Sequence, residues 1–470
     1  MPEKNSKTPK RAIVFLLKIL LFLILFLLFF GLYSLEYPWI IEKSRTAAIT
    51  MSTFVILGIS MTAVYGGFAV GKRKSKEIIG PLCIAVFLTD LVTYLQLSIM
   101  NTNQATHYDF QFASIGVFLI VFFLQVLCVT GFVYLGNYLY FKYNPPEDCV
   151  IICGDLSKSD EILRRVMRYK KQYRVTSIVS CQNPAMKKKI KECDTIFLYQ
   201  IPPEMKSEII DFAYKHFVNI YMQTELSDIV VNYAKYTVID DLSLLCSTTK
   251  ELTIEQRFLK RTMDIVLSGF LLIVLSPVLL VEALAIKLYD HGPVFFKQKR
   301  ATLHGRLFNV LKFRTMIVDA DKKEGMHPAG EKDDRITPVG RVLRKLRLDE
   351  LPQFINILKG DMSIVGPRPE RIEHVEKYTQ ELPEFQYRLR AKAGLTGLAQ
   401  IAGKYNTSPK DKLMLDLMYI EKYSIGMDIL LMFQTLKVFF KSDSTEGFTD
   451  DKMVEFVKYQ SLEKEEKNRK

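Results

Sequence analysis

Four apolar stretches fill most of the first 141 residues, and they restrict the fold of this chain more than any other feature. About Ile13–Leu32, Thr46–Val70, Ile78–Met100 and Ser114–Phe141 are each long enough to cross a bilayer as a helix. Between Arg11 and Lys142 lie 130 residues with only 12 charged side chains. Residues 142–470, by contrast, carry a charge at about 30% of their positions, as a water-exposed region does. The whole-chain values, 49% hydrophobic residues with a formal net charge of +13 and a mean hydropathy of +0.09, average two unlike parts. They exclude a wholly soluble protein, and they exclude disorder as the dominant state.

Lys7, Lys10 and Arg11 precede the first stretch as they would a signal peptide. The stretch is too long for one, and no small-residue cleavage site follows before Glu36, so it reads as a membrane helix. The loops set the topology. Lys4, Lys7, Lys10 and Arg11 precede the first helix, and Lys72, Arg73, Lys74 and Lys76 separate the second from the third. The loop at 101–113 has neither Lys nor Arg, and the loop near Lys43 and Arg45 is mixed. Positive charge therefore places both ends of the bundle in the cytoplasm. Asp90 falls midway along the third helix; with no intramembrane cation as partner, it reads as a carboxyl that is neutral or hydrogen-bonded inside the bundle. Lys18 is near enough to one end to snorkel. Tyr33, Tyr37 and Trp39 sit where an interfacial aromatic belt belongs. The seven cysteines form no C-x-x-C pairs and no Cys/His cluster at zinc spacing, so neither a disulfide nor a metal thiolate is expected.

From Asp148 the pattern becomes short β-rich runs alternating with amphipathic ones. Cys149–Cys153, Val175–Ser180, Thr195–Tyr199 and Val218–Met222 read as strands, and Glu161–Tyr173 and Pro203–His216 as helices. This alternation predicts a small parallel α/β domain. Gly154-Asp155-Leu156-Ser157 follows its first strand without a G-x-G-x-x-G, which argues against a dinucleotide site and for a structural or regulatory role.

Ile265–Val281 is 17 residues without a charge, marginal for a full span, with Asp264 before it and Glu282 and Lys287 after. Ser276-Pro277 interrupts it, and proline removes a helical hydrogen bond and favours a kink. Arg257, Lys260 and Arg261 precede the segment; Lys287, Lys297, Lys299 and Arg300 follow. A helix that enters, bends at Pro277 and returns keeps both clusters inside, with Ser276 helping to satisfy the freed backbone. The competing reading is a buried helix of a soluble core.

Three blocks then combine many guanidinium groups with the adjacent acids Asp349-Glu350. Arginine forks suit phosphate oxygens, and adjacent carboxylates suit a magnesium ion that also binds substrate phosphates. A carboxylate can itself attack phosphorus. Neighbouring helical residues point different ways, so the two acids divide the labour. On composition alone, a solvated amphipathic helix with salt-bridged Asp349 and Glu350 accounts for the run equally well.

Residues from about Lys260 to Phe440 closely resemble the bacterial sugar transferase family, the monotopic polyprenyl-phosphate glycosyl-1-phosphate transferases. The resemblance rests on eight blocks in order. They are Lys260-Arg-Thr-Met-Asp264, Ser276-Pro277, Gly292-Pro-Val, Lys312-Phe-Arg-Thr-Met316, Leu348-Asp-Glu-Leu-Pro-Gln353, Asp361-Met-Ser-Ile-Val-Gly-Pro-Arg-Pro369, Gly394-Leu-Thr-Gly-Leu-Ala-Gln400 and Leu415-Asp-Leu-Met-Tyr419. The preceding helices and α/β segment look like the long form of the family, typified by undecaprenyl-phosphate galactose or glucose phosphotransferases.

The resemblance implies a two-step transfer on the cytoplasmic face of a bacterial inner membrane, initiating surface polysaccharide synthesis. Asp349 matches the nucleophile that attacks the sugar-bearing phosphate of a UDP-sugar and releases UMP. Glu350 matches the neighbour that helps hold Mg2+. Undecaprenyl phosphate then takes the phosphosugar from the aspartate. Arg344 and Arg368 match phosphate-binding arginines, and Lys312 and Arg314 match the family's Lys-Phe-Arg motif and are assigned to substrate phosphate as well. The re-entrant helix with its Ser276-Pro277 kink holds the pair of acids at headgroup height. A homodimer is a further family-level expectation; no nucleic-acid partner is expected. Arg347 replaces the family's common Ser, Ala393 a Pro, and Ala399 a frequent Trp, which leaves the acids intact and touches nucleotide or sugar preference.

The expected architecture is a mixed membrane protein: a four-helix transmembrane bundle (1–145), a small Rossmann-like α/β domain (146–250), a mostly α-helical monotopic catalytic domain (254–445) with a re-entrant helix at about 262–286, and a charged tail (446–470). A non-catalytic scaffold or regulator of polysaccharide assembly is the alternative, against which the intact Asp349, Glu350, Arg344 and Arg368 argue. A nicotinamide-dependent dehydratase or epimerase lacks its glycine fingerprint.

Overall fold

The computed structural model describes residues 8–104, 111–247, 252–318, 335–403 and 408–439. Lys4, Lys7 and the tail at 446–470 lie outside the described residues. The first apolar stretches form α1 (Thr8–Glu36), α2 (Arg45–Val64), α3 (Ser75–Gln104) and α4 (Ile115–Tyr143). All four are long and apolar enough to cross a membrane. Inward-facing Phe29, Phe30, Tyr33, Phe54, Leu97 and Phe118 form one core cluster, and Leu21, Leu25, Leu82, Val129 and Val133 another. Phe15, Leu23, Ile56, Leu119 and Phe123 are exposed, as lipid-facing side chains are. α2 ends at Val64, short of the Val70 expected from hydropathy. Gly66, Gly67 and Gly71 all have positive φ there, a backbone that favours glycine and turns the chain out of the helix. Asp90 is fully buried, and Gln125 Nε2 lies 3.4 Å from its Oδ1 while also donating to Leu25 O.

After α4, the strands β1 (Glu147–Cys153), β2 (Tyr173–Ser180), β3 (Thr195–Tyr199) and β4 (Asn219–Met222) make one sheet in the order β2-β1-β3-β4, parallel throughout. The near-continuous burial of β1 suits a sheet covered on both faces. Its covering helices are α5 (Ser159–Met167), α6 (Met186–Lys191) and α7 (Pro203–Lys215). α5 stops six residues before the expected Tyr173, which instead opens β2. The short α6 was not foreseen, because Lys187, Lys188, Lys189 and Lys191 mask its two buried positions, Met186 and Ile190.

A second compact unit starts at Thr224. It includes α8 (Leu226–Asn232) and the antiparallel hairpin β5 (Lys235–Ile239) and β6 (Leu242–Cys246), which the sequence groups with the α/β segment. Ile229 of α8 belongs to this unit's core, with Phe354, Ile357, Val365, Phe385, Leu417 and Leu431. α9 (Ile254–Val274) and α10 (Ser276–Asp290) follow, bent by 62° at the break between them. Pro277 has no N–H for the carbonyl four residues earlier, that of Ile273. Ser276 Oγ donates to that oxygen at 2.7 Å instead. Beyond the bend come the antiparallel β7 (Phe295–Ala301) and β8 (Leu307–Phe313), then α11 (Pro338–Leu346) and α12 (Gln353–Lys359). The short parallel pair β9 (Ser363–Val365) and β10 (Gly394–Thr396), with α13 (Ile372–Glu381), α14 (Leu398–Ala402), α15 (Pro409–Glu421) and α16 (Ile425–Phe439), completes the unit.

Candidate active site

The site is built around a single-turn 3-10 helix, Leu348–Glu350. α11 leads into it, and its start is fixed by close backbone approach. Thr337 caps the helix by accepting from Gly340 N, and Thr337 N bonds Thr315 O. A side chain at Gly340 would begin 2.0 Å from that same oxygen, so only glycine fits. One turn later Arg344 Nε donates to Thr315 Oγ1 at 2.8 Å. The helix then stops because Arg347 takes a left-handed conformation (φ 56°), which costs a non-glycine residue about 1 kcal/mol or more. The reversal leads directly into the turn that carries Asp349 and Glu350.

Glu350 draws the cations together. Lys312 Nζ donates to its Oε1 at 2.7 Å and Arg368 to the same oxygen at 2.8 Å. Burial alone would push the Glu350 carboxyl up, but the charges of Arg368 and Lys312 outweigh it and hold it well below the usual range. Asp349 carries no salt bridge among the described residues. Burial raises its pKa, and the neighbouring Glu350 adds to this, while Lys312 and Arg344 pull the other way without cancelling the rise. One acid is thus held ionised by partners, and the other is half-buried without a salt bridge.

The supports reach in from several elements. Asn356 on α12 accepts from Leu311 N and donates to Asn309 O, each at 2.9 Å, tying the helix after the acids to the strand that carries Lys312. The Gly366–Pro369 segment presents Arg368 and is held through its backbone at four points. Gly366 N bonds Thr396 O, Gly394 N bonds Pro367 O, Arg388 bonds Arg368 O at 2.8 Å and Arg300 bonds Pro369 O at 3.1 Å. Arg388 is itself buried and lies 2.8 Å from the buried Asp416. The base of α9 is locked beneath. Lys260 donates to Val365 O, Tyr419 and Asp428, Arg261 to Ile357 O and Leu358 O, and Asp264 accepts from Ser363 Oγ and Ile364 N.

Of the residues singled out in the sequence, Lys312 and Arg368 meet on Glu350 beside Asp349, and the charge of Arg344 reaches Asp349. Arg314 is turned elsewhere: both of its terminal nitrogens bond the Asp290 carboxylate, and Nε donates to Pro293 O at 2.6 Å. Ser276 and Pro277 form the bend. Asp290, Arg388, Asp416 and Asp428 were not foreseen in these roles. The signal for two of them is an acid inside an apolar helical run, as in Leu413-Met-Leu-Asp-Leu-Met418 and Ile425-Gly-Met-Asp-Ile-Leu-Leu431.

A helical unit with a bent apolar helix pair, carrying this cation-ringed pair of acids, defines the class. Residues 255–442 match the model of the bacterial sugar transferase family, and the chain belongs to that family. Its relatives include the UDP-glucose:undecaprenyl-phosphate glucose-1-phosphate transferase of Caulobacter vibrioides, 40% identical over 190 residues, or 39% of this chain and 71% of the relative. The UDP-N-acetylgalactosamine-undecaprenyl-phosphate N-acetylgalactosaminephosphotransferase of Aeromonas hydrophila is 41% identical over 183 residues, 38% of this chain and 43% of its own length. The UDP-glucose:undecaprenyl-phosphate glucose-1-phosphate transferase of Escherichia coli K12 is 45% identical over 185 residues, 38% and 40% of the two chains. The match thus spans under half of two of these three relatives.

Proposed function

We propose that the protein transfers a hexose 1-phosphate from a UDP-sugar to undecaprenyl phosphate at the cytoplasmic face of the membrane, initiating a surface polysaccharide. The relatives' names motivate the substrate classes. The observation that carries the chemistry is the contrast at the 3-10 turn: Glu350 neutralised by Lys312 and Arg368, and Asp349 beside it with no salt bridge among the described residues.

In this reading an Asp349 oxygen attacks the sugar-bearing phosphorus. The bond from that phosphorus to the bridging oxygen breaks, and UMP leaves with the electron pair. An oxygen of the lipid phosphate then attacks the same phosphorus, and the bond to Asp349 breaks to restore the carboxylate. Arg368 and Lys312 stand where charge builds on the phosphoryl oxygens, and Arg344 orients the donor phosphates. The all-oxygen donor set of Asp349 and Glu350, with one Glu350 oxygen already committed to cations, fits a hard divalent ion such as Mg2+. Bound there, the ion supplies charge neutralisation for the diphosphate. The bent pair α9–α10 serves as a re-entrant helix that keeps the acids at headgroup height, where a lipid phosphate and a soluble nucleotide both arrive.

The test uses purified full-length protein, undecaprenyl phosphate, Mg2+ and a panel of UDP-sugars. Wild type should release UMP with one donor and acquire a phosphosugar adduct on Asp349, seen by mass spectrometry. Asp349→Asn should lose both. Retained turnover in that variant removes Asp349 as nucleophile, and no UMP release with any donor leaves the scaffold reading.

A further inference from the structure

Glu282 sits on α10, six residues past the bend. Counted along the sequence, it is the charged flank that ends an apolar segment. In the structure it is 5% exposed, and neither carboxylate oxygen has a hydrogen-bond partner among the described residues. A buried carboxylate without donors is costly. The nearest cation along the chain is committed elsewhere: Lys287 donates to His291 O and Gly292 O.

Its surroundings lead to the acids. Leu279, Ala283 and Ile286, on the same stretch of α10, pack with Phe313, Leu343 and Leu348. Phe313 follows Lys312 and Leu348 precedes Asp349, so this part of α10 lies against both arms of the site. Glu282 is close enough to Asp349 for the two carboxylates to repel each other.

We propose that Glu282 is a further acidic residue of the metal site, accepting hydrogen bonds from water molecules carried by a divalent cation held at Asp349 and Glu350. The inference rests on the reading that those two acids hold Mg2+. Direct ligation by all three acids does not fit, because among the described residues no group of three His, Cys, Asp or Glu side chains is placed to hold a metal ion. Contact through water does fit, since Mg2+ usually keeps several waters and binds through one or two carboxylates. The orphaned oxygens then gain donors, and α10 senses whether the ion is present.

Mn2+ serves as the probe. Binding to the full-length protein in nanodiscs is followed by electron paramagnetic resonance, with no substrate present, for wild type, Glu282→Gln and Glu350→Gln. Loss of a residue that orients metal-bound water weakens affinity about 10- to 100-fold, and Glu282→Gln should raise the Mn2+ Kd by that factor. Its thermal midpoint in EDTA should stay at or above the wild-type value, because no hydrogen bond is lost. An unchanged Kd in Glu282→Gln beside a weakened one in Glu350→Gln overturns this proposal alone. Unchanged binding in both variants overturns the magnesium reading as well. Should Glu282→Gln fail to fold, Glu282→Met, of similar length and apolar, gives the same comparison.

Discussion

Lys312 and Arg314 are two residues apart, and their side chains do different things. The strand that carries Lys312 ends at Phe313, so the pleat that would keep alternate residues on one face no longer applies to Arg314. Lys312 bonds Glu350, whereas Arg314 joins Asp290, at the end of α10, to the turn at Pro293. Substitution should separate the two. Lys312→Met removes a charge-assisted bond of about 1.5–3 kcal/mol at the reacting centre, so kcat/KM for UMP release should fall roughly 10- to 150-fold. Arg314→Met leaves Asp290 half-satisfied and should lower stability by a similar energy, read as a drop in Tm with a smaller loss of turnover per folded molecule. Equal effects of both variants on turnover at unchanged Tm would return Arg314 to the phosphate site. The motif made both cations visible in the sequence. Their division was not, because it depends on where β8 stops and on Asp290, which no local pattern marks.

At the scale of elements, the same limit separates what a window of sequence shows from what distant partners decide. The strands of the parallel sheet, the four long helices and the break at Ser276-Pro277 all follow from local periodicity, glycine or proline. The locking of α9 does not: Lys260 finds Val365, 105 residues on, and Asp428, 168 residues on. In the sequence Lys260 stands in a basic flank and opens one of the family blocks, with nothing to mark its partner. The structure makes it a buried ion pair whose partner Asp428 is fully buried and also accepts from Tyr419 at 2.7 Å. Removing one member of such a pair costs about 3–5 kcal/mol, while replacing both by apolar residues of similar volume is often neutral. Lys260→Met should therefore lower the denaturation midpoint strongly, and the double variant Lys260→Met, Asp428→Leu should recover most of the loss. A double variant as unstable as the single one would show that Lys260 acts through Val365 O and not through Asp428.

For the whole molecule, the placement of charge along the chain predicts which segments share a side of the membrane. α1 through α4 are long and apolar enough for four spans, and four spans would keep the Lys72–Lys76 turn and the α/β segment after Tyr143 on the positive, inner side, with the turn at Glu42 facing out. The bent pair α9–α10 is where the two topologies diverge. As a broken span it would carry Lys287 and everything after it, including Asp349, to the outer side. As a re-entrant helix it returns Lys287, Lys297, Lys299 and Arg300 to the inner side, which the basic residues on both flanks favour. Glu42 and Lys287 are both exposed, so a cysteine at either is open to reagent. With the native cysteines replaced, Glu42→Cys should react in intact cells with a membrane-impermeant maleimide, and Lys287→Cys should react only after permeabilisation. Labelling of Lys287→Cys from outside would place the Asp349 site away from cytoplasmic nucleotide sugars and overturn the proposed reaction along with the topology. Protection of Lys287→Cys beside a reactive Glu42→Cys leaves the 62° bend as the turning point that brings the chain back to the face where a UDP-sugar is available.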